Sequence, residues 1–441
     1  MREMKDSNVN WLNTIPCDWA LSRIKYVLNE RIEKNDPIKT KDILSLTAKQ
    51  GVVPLSEKEG GGNKPKEDFT AYKLAYPNDI VINSMNILSG SVGLSKYFGC
   101  VSPVYYMLRP FNDNFDVRYF NYIFQTKVFQ LSLFGLGNGI LIKESGNGKF
   151  NTIRMRIPME KFGNLLIPVP NEKEQIKISS FLDTKCSEID ATAEDIQKEI
   201  SLLEDYKKSV ITEAVTKGLN PDAEMKDSGI EWIGSIPENC IISKLKYIAI
   251  LSPKCEKFQK LKGDYELTFT PMENIKNGFF VNESKHVTEL ANSLTRYQEG
   301  DIALAKVTPC FENGNICIME NLVNEVGMGS SELFIIRNHD AVLKKYLFYW
   351  LQNTKFVDEA CKTMTGVGGL KRVSSVFLNN SEVLVFDYQT QQDIVNYLDT
   401  KCSEIDALIA DKKRQLDIIA EYKKSLIYEY VTGKKEVPVN E

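Results

Sequence analysis

Two stretches of the chain carry apolar residues at alternating three- and four-residue spacing, with no proline or glycine between their ends. Between Asn171 and Lys217 one seam position holds Leu182, Ile189, Ile196, Leu203 and Val210, and the other Cys186, Ala193, Ile200, Lys207 and Ala214. Between Asp387 and Gly433 the seam reads Leu398, Ile405, Lys412, Ile419 and Leu426 against Cys402, Ile409, Leu416, Lys423 and Tyr430. That spacing lines a narrow apolar stripe along a helix, which a coiled coil buries. The end signals agree. Asn171 and Glu174 make a capping pair, Pro168 and Pro170 lie just outside, Gly218 suits the left-handed residue after a helix, and Pro221 follows. Asp387 and Gly433 punctuate the second stretch alike. Each helix of about 45 residues would run about 68 Å, too long for a small domain to bury.

Lys207, Lys412 and Lys423 interrupt the seam. Their stems can cover apolar surface while the ammonium reaches water. Two arrangements fit: a coiled coil with another chain, or the two helices paired antiparallel within one chain. The matched lengths and caps favour the second. So does the Ala/Cys-rich seam of the first helix, which complements the Ile/Leu-rich seam of the other.

Between the helices the pattern changes to short apolar runs bounded by Gly, Pro and Asn. Asp79–Asn83, Val104–Leu108, Ile302–Val307, Ile316–Met319 and Leu333–Arg337 read as strands. Arg118–Leu133 and Leu343–Cys361 read as aromatic-rich helices, whose rings belong in a core.

The chain also repeats itself. FLDTKCSEIDA at Phe181–Ala191 returns as YLDTKCSEIDA at Tyr397–Ala407, identical at ten of eleven positions. Glu3–Val27 matches Glu224–Ile248 at eleven of twenty-five, including Trp11/Trp232, Pro16/Pro237 and Tyr26/Tyr247. Fainter echoes link Asp79-Ile80 to Asp301-Ile302, Tyr119–Gln125 to Tyr346–Gln352, and Arg156 to Arg372. A period this long marks two domain-sized units, not a solenoid. The expected fold class is α/β: two mixed α/β blocks separated by two long helices that pair as an intramolecular antiparallel coiled coil, with a pseudo-twofold repeat. The expected boundaries are residues 1–170 for the first block with its N-terminal tag, 171–218 for the first helix, 219–386 for the second block with its tag, 387–435 for the second helix and 436–441 for a tail.

Composition narrows the picture. A chain of 441 residues holds two or three domains, and no run approaches the ~20 apolar residues of a membrane span. Met1–Ser7 is polar and no apolar stretch follows, so a cytoplasmic protein is expected. Nine cysteines without a C-x-x-C pair read as reduced thiols. A net charge of −4 counts against a stand-alone nucleic-acid binder without excluding local basic clusters.

Catalytic motifs are missing. Gly135, Gly137 and Gly139, then Gly146-Asn-Gly148-Lys149, do not form a P-loop. Together with Gly366–Gly369 before Lys371 and Arg372, they fit either plain turns or loops that approach a phosphate backbone. Pro221-Asp222-Ala-Glu224-Met-Lys226 imitates nuclease elements, but those sit on separate strands. His286 and His339 have no ligand set at metal spacing. No nucleophile elbow or N-P-P-[YF] adenine-methylation motif is present.

The layout resembles the specificity subunit of Type I restriction–modification enzymes. The resemblance covers nearly the full chain: a tag with Trp11–Pro16, a diverged block, a helix start with Pro168, Pro170, Glu174, Gln175, Leu182 and Asp183, then the same order again. The second copy keeps Gln391, Leu398 and Asp399 but has Val385-Phe-Asp-Tyr388 in place of the prolines. The resemblance implies a non-catalytic subunit whose two blocks are target recognition domains, each reading half of a split, asymmetric site on double-stranded DNA. The helices would set the gap, and about 68 Å limits it to roughly 20 base pairs. Two methyltransferase subunits and two restriction/translocase subunits would be partners. S-adenosylmethionine, ATP and magnesium would be held there, with no cofactor in this chain and no membrane. The resemblance also implies that the N-terminus lies near Val431–Lys435.

Within that frame the candidate DNA contacts are Lys49, Asn83, Ser84, Asn86, Ser89, Lys143, Arg154 and Arg156 in the first block, and Lys276, Lys306, Thr308, Asn313, Lys371 and Arg372 in the second. All are polar residues expected in loops or at strand ends. The alternative is a coiled-coil scaffold with two protein-binding modules. Duplicated blocks with diverged interiors favour DNA recognition.

Overall fold

The computed structural model describes residues 2–48, 50–58, 65–139, 155–367 and 369–438. It divides into two compact units, one of residues 1–196 with 414–441 and one of residues 197–413. Mixed α/β structure fills both.

In the first unit a four-stranded antiparallel sheet runs in the order Leu28–Arg31, Tyr105–Pro110, Ile80–Asn83, Val92–Leu94. In the second unit the order is Ala249–Leu251, Leu333–Asn338, Ile302–Ala305, Ile316–Ile318, with the same connections. The registers also match, since Tyr105 pairs with Asn83 and Leu333 with Ala305. The repeat is therefore carried by topology where the sequence has diverged. The second unit adds another four-stranded sheet, Glu283–His286, Glu266–Thr270, Val326–Gly329, Thr295–Gln298, whose one parallel pair joins Thr268–Thr270 to Gly327–Gly329.

Each aromatic-rich stretch forms two helices, not one. Val117–Gln125 stops at Thr126, which is extended at ψ 134°, and Lys127–Ser132 follows. The Thr126 hydroxyl donates to the Ile123 carbonyl at 2.7 Å, and this local bond competes with helix continuation. Lys344–Trp350 and Thr354–Lys362 are separated at Asn353. Its side chain donates to the Trp350 carbonyl and accepts the Phe356 N–H, closing one helix and capping the next. The rings are core, with Tyr119, Phe120, Phe124 and Phe129 buried in one unit and Tyr346, Trp350 and Phe356 in the other.

The long helices span Glu172–Lys217 and Tyr388–Val431. The Asn171 side chain accepts the Glu174 N–H at 3.0 Å, and Asp387 accepts that of Thr390 at 3.0 Å. Gly218 (φ 73°) and Gly433 (φ 69°) follow the ends, as a left-handed terminus requires. In the first unit Ile178, Leu182 and Cys186 share a core with Leu426, Tyr430 and Val431, and Asp190 accepts from Lys423 Nζ at 2.6 Å. In the second unit Val210 and Ala214 share a core with Leu398 and Cys402; Lys207 meets Asp406 at 2.8 Å and Lys412 meets Glu199. All three seam lysines are thus ion-paired. Each pair contributes ~1 kcal/mol or less where exposed, whereas each buried Leu or Ile contributes about 2 kcal/mol.

The N-terminal tag packs in the first unit. Trp11, Leu12, Ile15 and Trp19 join the core that holds Val431 and Val437. Gly433 lies against Pro16 and Trp19, so a side chain there would collide. Lys177 Nζ donates to the Val437 carbonyl at 2.9 Å. Arg2 pairs with Asp18 and Glu174.

Candidate functional site

The repeated helix signature is a joint. Gln175 is buried, with Oε1 accepting the Asp116 N–H at 2.9 Å and Nε2 donating to the Pro170 carbonyl at 2.8 Å. Gln391 does the same with the Leu343 N–H and the Phe386 carbonyl, each at 2.8 Å. Asp183 accepts from the Tyr122 hydroxyl at 2.7 Å and Arg118 Nη1 at 2.8 Å; Asp399 accepts from Tyr349 at 2.7 Å and Lys345 at 2.6 Å. Burial first, and then these carboxylates, push both tyrosines far above the ordinary phenol range. Burial works against ionising Asp116, yet hydrogen bonds from Arg118 and Ser179 outweigh it and hold the carboxyl below its usual range. Cys186 and Cys402 lie in the same seams, and burial pushes each thiol up to about 11. The repeated polar residues therefore lock each long helix to its aromatic helix. They carry no reactive arrangement.

The diverged residues gather elsewhere, in the loops after Ile80–Asn83 and Ile302–Ala305. In the second unit residues 306–315 lie between two neighbours. On one side is the hairpin of Thr365–Val367 and Leu370–Arg372: Val307 bridges Arg372, Thr308 N donates to the Lys371 carbonyl at 2.9 Å, and Val373 N to that of Lys306 at 2.9 Å. On the other is the turn at Lys276–Phe279, joined by the Gly278 N–H to the Ile316 carbonyl at 2.8 Å. Lys276, Lys306, Thr308, Asn313, Lys371 and Arg372 thus share one loop assembly. Lys276, Asn313, Lys371 and Arg372 are exposed and Lys306 is half-buried. Thr308 is buried, its hydroxyl donating to the Gly369 carbonyl at 2.6 Å.

In the first unit Asn86 and Ser89 are exposed in the equivalent loop. Asn83 and Ser84 are buried: the Asn83 side chain accepts the Met85 N–H at 3.0 Å and the Ser84 hydroxyl donates to the Val104 carbonyl at 2.7 Å. Arg156 is exposed beside them, since the Ile157 N–H donates to the Ser84 carbonyl at 3.1 Å, as Val373 does to Lys306. Lys49, Lys143 and Arg154 lie outside the described residues.

Sequence reasoning missed Glu332. It accepts Arg372 Nε at 2.8 Å and Nη2 at 2.9 Å, and its carboxyl is held below the usual range by that arginine. A single acid in a turn gives no periodic signal. Asp79 and Asp301 are also more than an echo. Both are buried, the first holding Arg31 Nε at 2.9 Å and the second Arg337 Nε at 2.7 Å. Among the described residues no group of His, Cys, Asp and Glu could hold a metal ion, and no helix is long and apolar enough to cross a membrane.

No protein-family model matches the chain. The Type I restriction enzyme EcoAI specificity subunit of Escherichia coli is 32% identical over 164 residues, 36% of this chain and 27% of that protein. The EcoEI specificity subunit of the same organism is 34% identical over 149 residues. These matches span about a quarter of each relative's length, 27% and 25%. The Type I restriction enzyme MjaVIII specificity subunit of Methanocaldococcus jannaschii is 24% identical over 441 residues, 96% of this chain and 94% of that protein. A solved structure described as the basis of complex assembly and conformational transition of the type I R-M system has the same fold. Its TM-score is 0.66 at 12% identity, over 96% of this chain and 99% of the other. Over nearly its whole length, the chain resembles the specificity subunits of Type I restriction–modification enzymes.

Proposed function

We propose that the chain is the DNA sequence-recognition subunit of a Type I restriction–modification complex and does no chemistry itself. Its two recognition domains, 1–170 and 219–386, bind the halves of a bipartite, asymmetric site. The long helices pair antiparallel within the chain and relate the two units by pseudo-twofold symmetry. Two methyltransferase subunits and two restriction/translocase subunits dock on it, bringing S-adenosylmethionine, ATP and magnesium. The cytoplasm is where such a complex meets its DNA.

One observation carries most of this reading: a matched frame that holds unmatched loops. The joints at Gln175 and Gln391, and at Asp183 and Asp399, repeat bond for bond. The loops they support differ in length and residues, as two readers of different sequences must. The seam contacts support antiparallel pairing, because Asp190 with Lys423, Glu199 with Lys412 and Lys207 with Asp406 ascend one helix while descending the other. Exposed Leu202 and Tyr206 on the first helix recur as exposed Ile418 and Tyr422 on the second, which suits two copies of one partner.

The test is a genome-wide map of methylated adenines with the gene deleted and restored. Restoration is expected to return methylation at a two-part motif with an unspecified gap. No gene-dependent methylation in cells that express the methyltransferase, or a single undivided motif, would refute the reading.

A further inference from the structure

The hairpin of Thr365–Val367 and Leu370–Arg372 is exposed along both strands, and Val367 is 90% exposed. The ribbon presents Val367 and Leu370 to water beside Lys371 and Arg372, a mixed apolar and basic surface. Its turn and second strand are fixed, because the Thr308 hydroxyl donates to the Gly369 carbonyl and accepts the Lys371 N–H at 2.9 Å. Lys371 lies on the ribbon and Lys276 and Lys306 lie in the same loop assembly, a local basic cluster on an acidic chain.

The pairing of Arg372 is the informative detail. Glu332 takes Nε and one hydrogen of Nη2. Five donors minus these two leave both hydrogens of Nη1 and one of Nη2, so an end-on fork remains. A phosphate clamp gains nothing from a carboxylate beside it. A base reader does gain, because two bonds hold the fork in one plane, and an arginine fork fits O6 and N7 of guanine. The registers place Val104 of the first unit where the second has Glu332, so the position equivalent to Glu332 offers Arg156 no carboxylate.

We propose that this hairpin enters the major groove of one half-site, that Arg372 reads a guanine there, and that Glu332 is the positioning residue that fixes the fork. The groove is about 12 Å wide and admits a two-stranded ribbon, and thymine methyl groups suit Val367 and Leu370. The proposal rests on the DNA-recognition reading and names the element and the base.

The test is selection from randomised duplexes by the full chain with its methyltransferase partners. Arg372→Ala should erase preference for one guanine in one half-site and weaken binding to the selected duplex about tenfold to a hundredfold. Glu332→Ala should relax that same position, and Glu332→Gln, which keeps an acceptor, should fall between. Lys371→Ala should instead weaken all sequences alike and flatten the salt dependence. Melting temperatures and the other half-site should stay at wild-type values. Unchanged selection by both the Arg372 and Glu332 variants, equal loss at every position, or loss of methyltransferase association would overturn the proposal. Wild-type protein that selects no sequence would overturn the functional reading with it.

Discussion

At the residue scale, each long helix carries one repeated thiol in its seam. Cys186 and Cys402 are buried, and burial pushes both up to about 11. In the unfolded chain a thiol ionises near ~8.5, so between the two values the unfolded state loses a proton that the folded state keeps. Stability present below about pH 8.5 is therefore lost as the pH rises toward 11, by roughly 3 kcal/mol per thiol. Replacing both with alanine removes this slope while leaving the lysine and tyrosine titrations in place. Denaturant midpoints at neutral and alkaline pH should fall less in the Cys186→Ala/Cys402→Ala variant than in wild type. Equal falls would mean that the thiols meet water in the folded protein.

At the element scale, the ends of the long helices are tied by tyrosines. The Tyr119 hydroxyl donates to the Val431 carbonyl at 2.9 Å, with that of Pro168 at 3.3 Å. The Tyr346 hydroxyl donates to the Leu384 carbonyl at 2.8 Å, with that of Val215 at 3.3 Å. Val431 and Val215 stand in last turns, where helix carbonyls lack an internal partner. Tyr119→Phe and Tyr346→Phe keep the buried ring and delete the donor, so each should cost about 1–2 kcal/mol. The two sites share no partner and lie in separate units, so the double variant should match the sum within about 0.5 kcal/mol by denaturation. A double variant no worse than either single would break the argument. The recurrence of both tyrosines at equal spacing was visible in the chain, as were the helices, their caps and the joint residues, because periodicity and duplication both leave a mark. The loop assembly was legible only in part. Thr308 and Ser84 read as free polar groups, yet both are buried with a backbone carbonyl taking each hydroxyl, and polarity alone does not show which way a side chain faces. Glu332 was illegible because its partner Arg372 lies forty positions away, a contact only the fold creates.

At the scale of the whole molecule, the two tags face the same demand with different connectivity. Glu224–Ile248 follows the first helix directly, and Ile233 and Ile236 pack into the core that holds Ala214 and Val215. Glu3–Val27 does the equivalent with the second helix, yet hundreds of residues separate them; Ile15 and Trp19 reach Val431 through packing alone. A tag therefore holds its helix end without being joined to it. Residues 219–222 are exposed, and the turn that follows Gly218 bonds only to itself, through Asn220. A circular permutant opened at Asn220, with residues 438 and 2 joined by about ten flexible residues of ~17 Å root-mean-square reach, should keep both cores intact. It should be soluble, melt cooperatively within a few degrees of the parent, and select the same two-part duplex. Opening the chain inside the first long helix at Glu199 instead should abolish both, because it breaks the helix beside buried Ile200 and at the residue that pairs with Lys412. A permutant opened at Asn220 that is insoluble while the parent is soluble would show that the covalent link between helix and tag is required, and that the likeness of the two units stops at their topology.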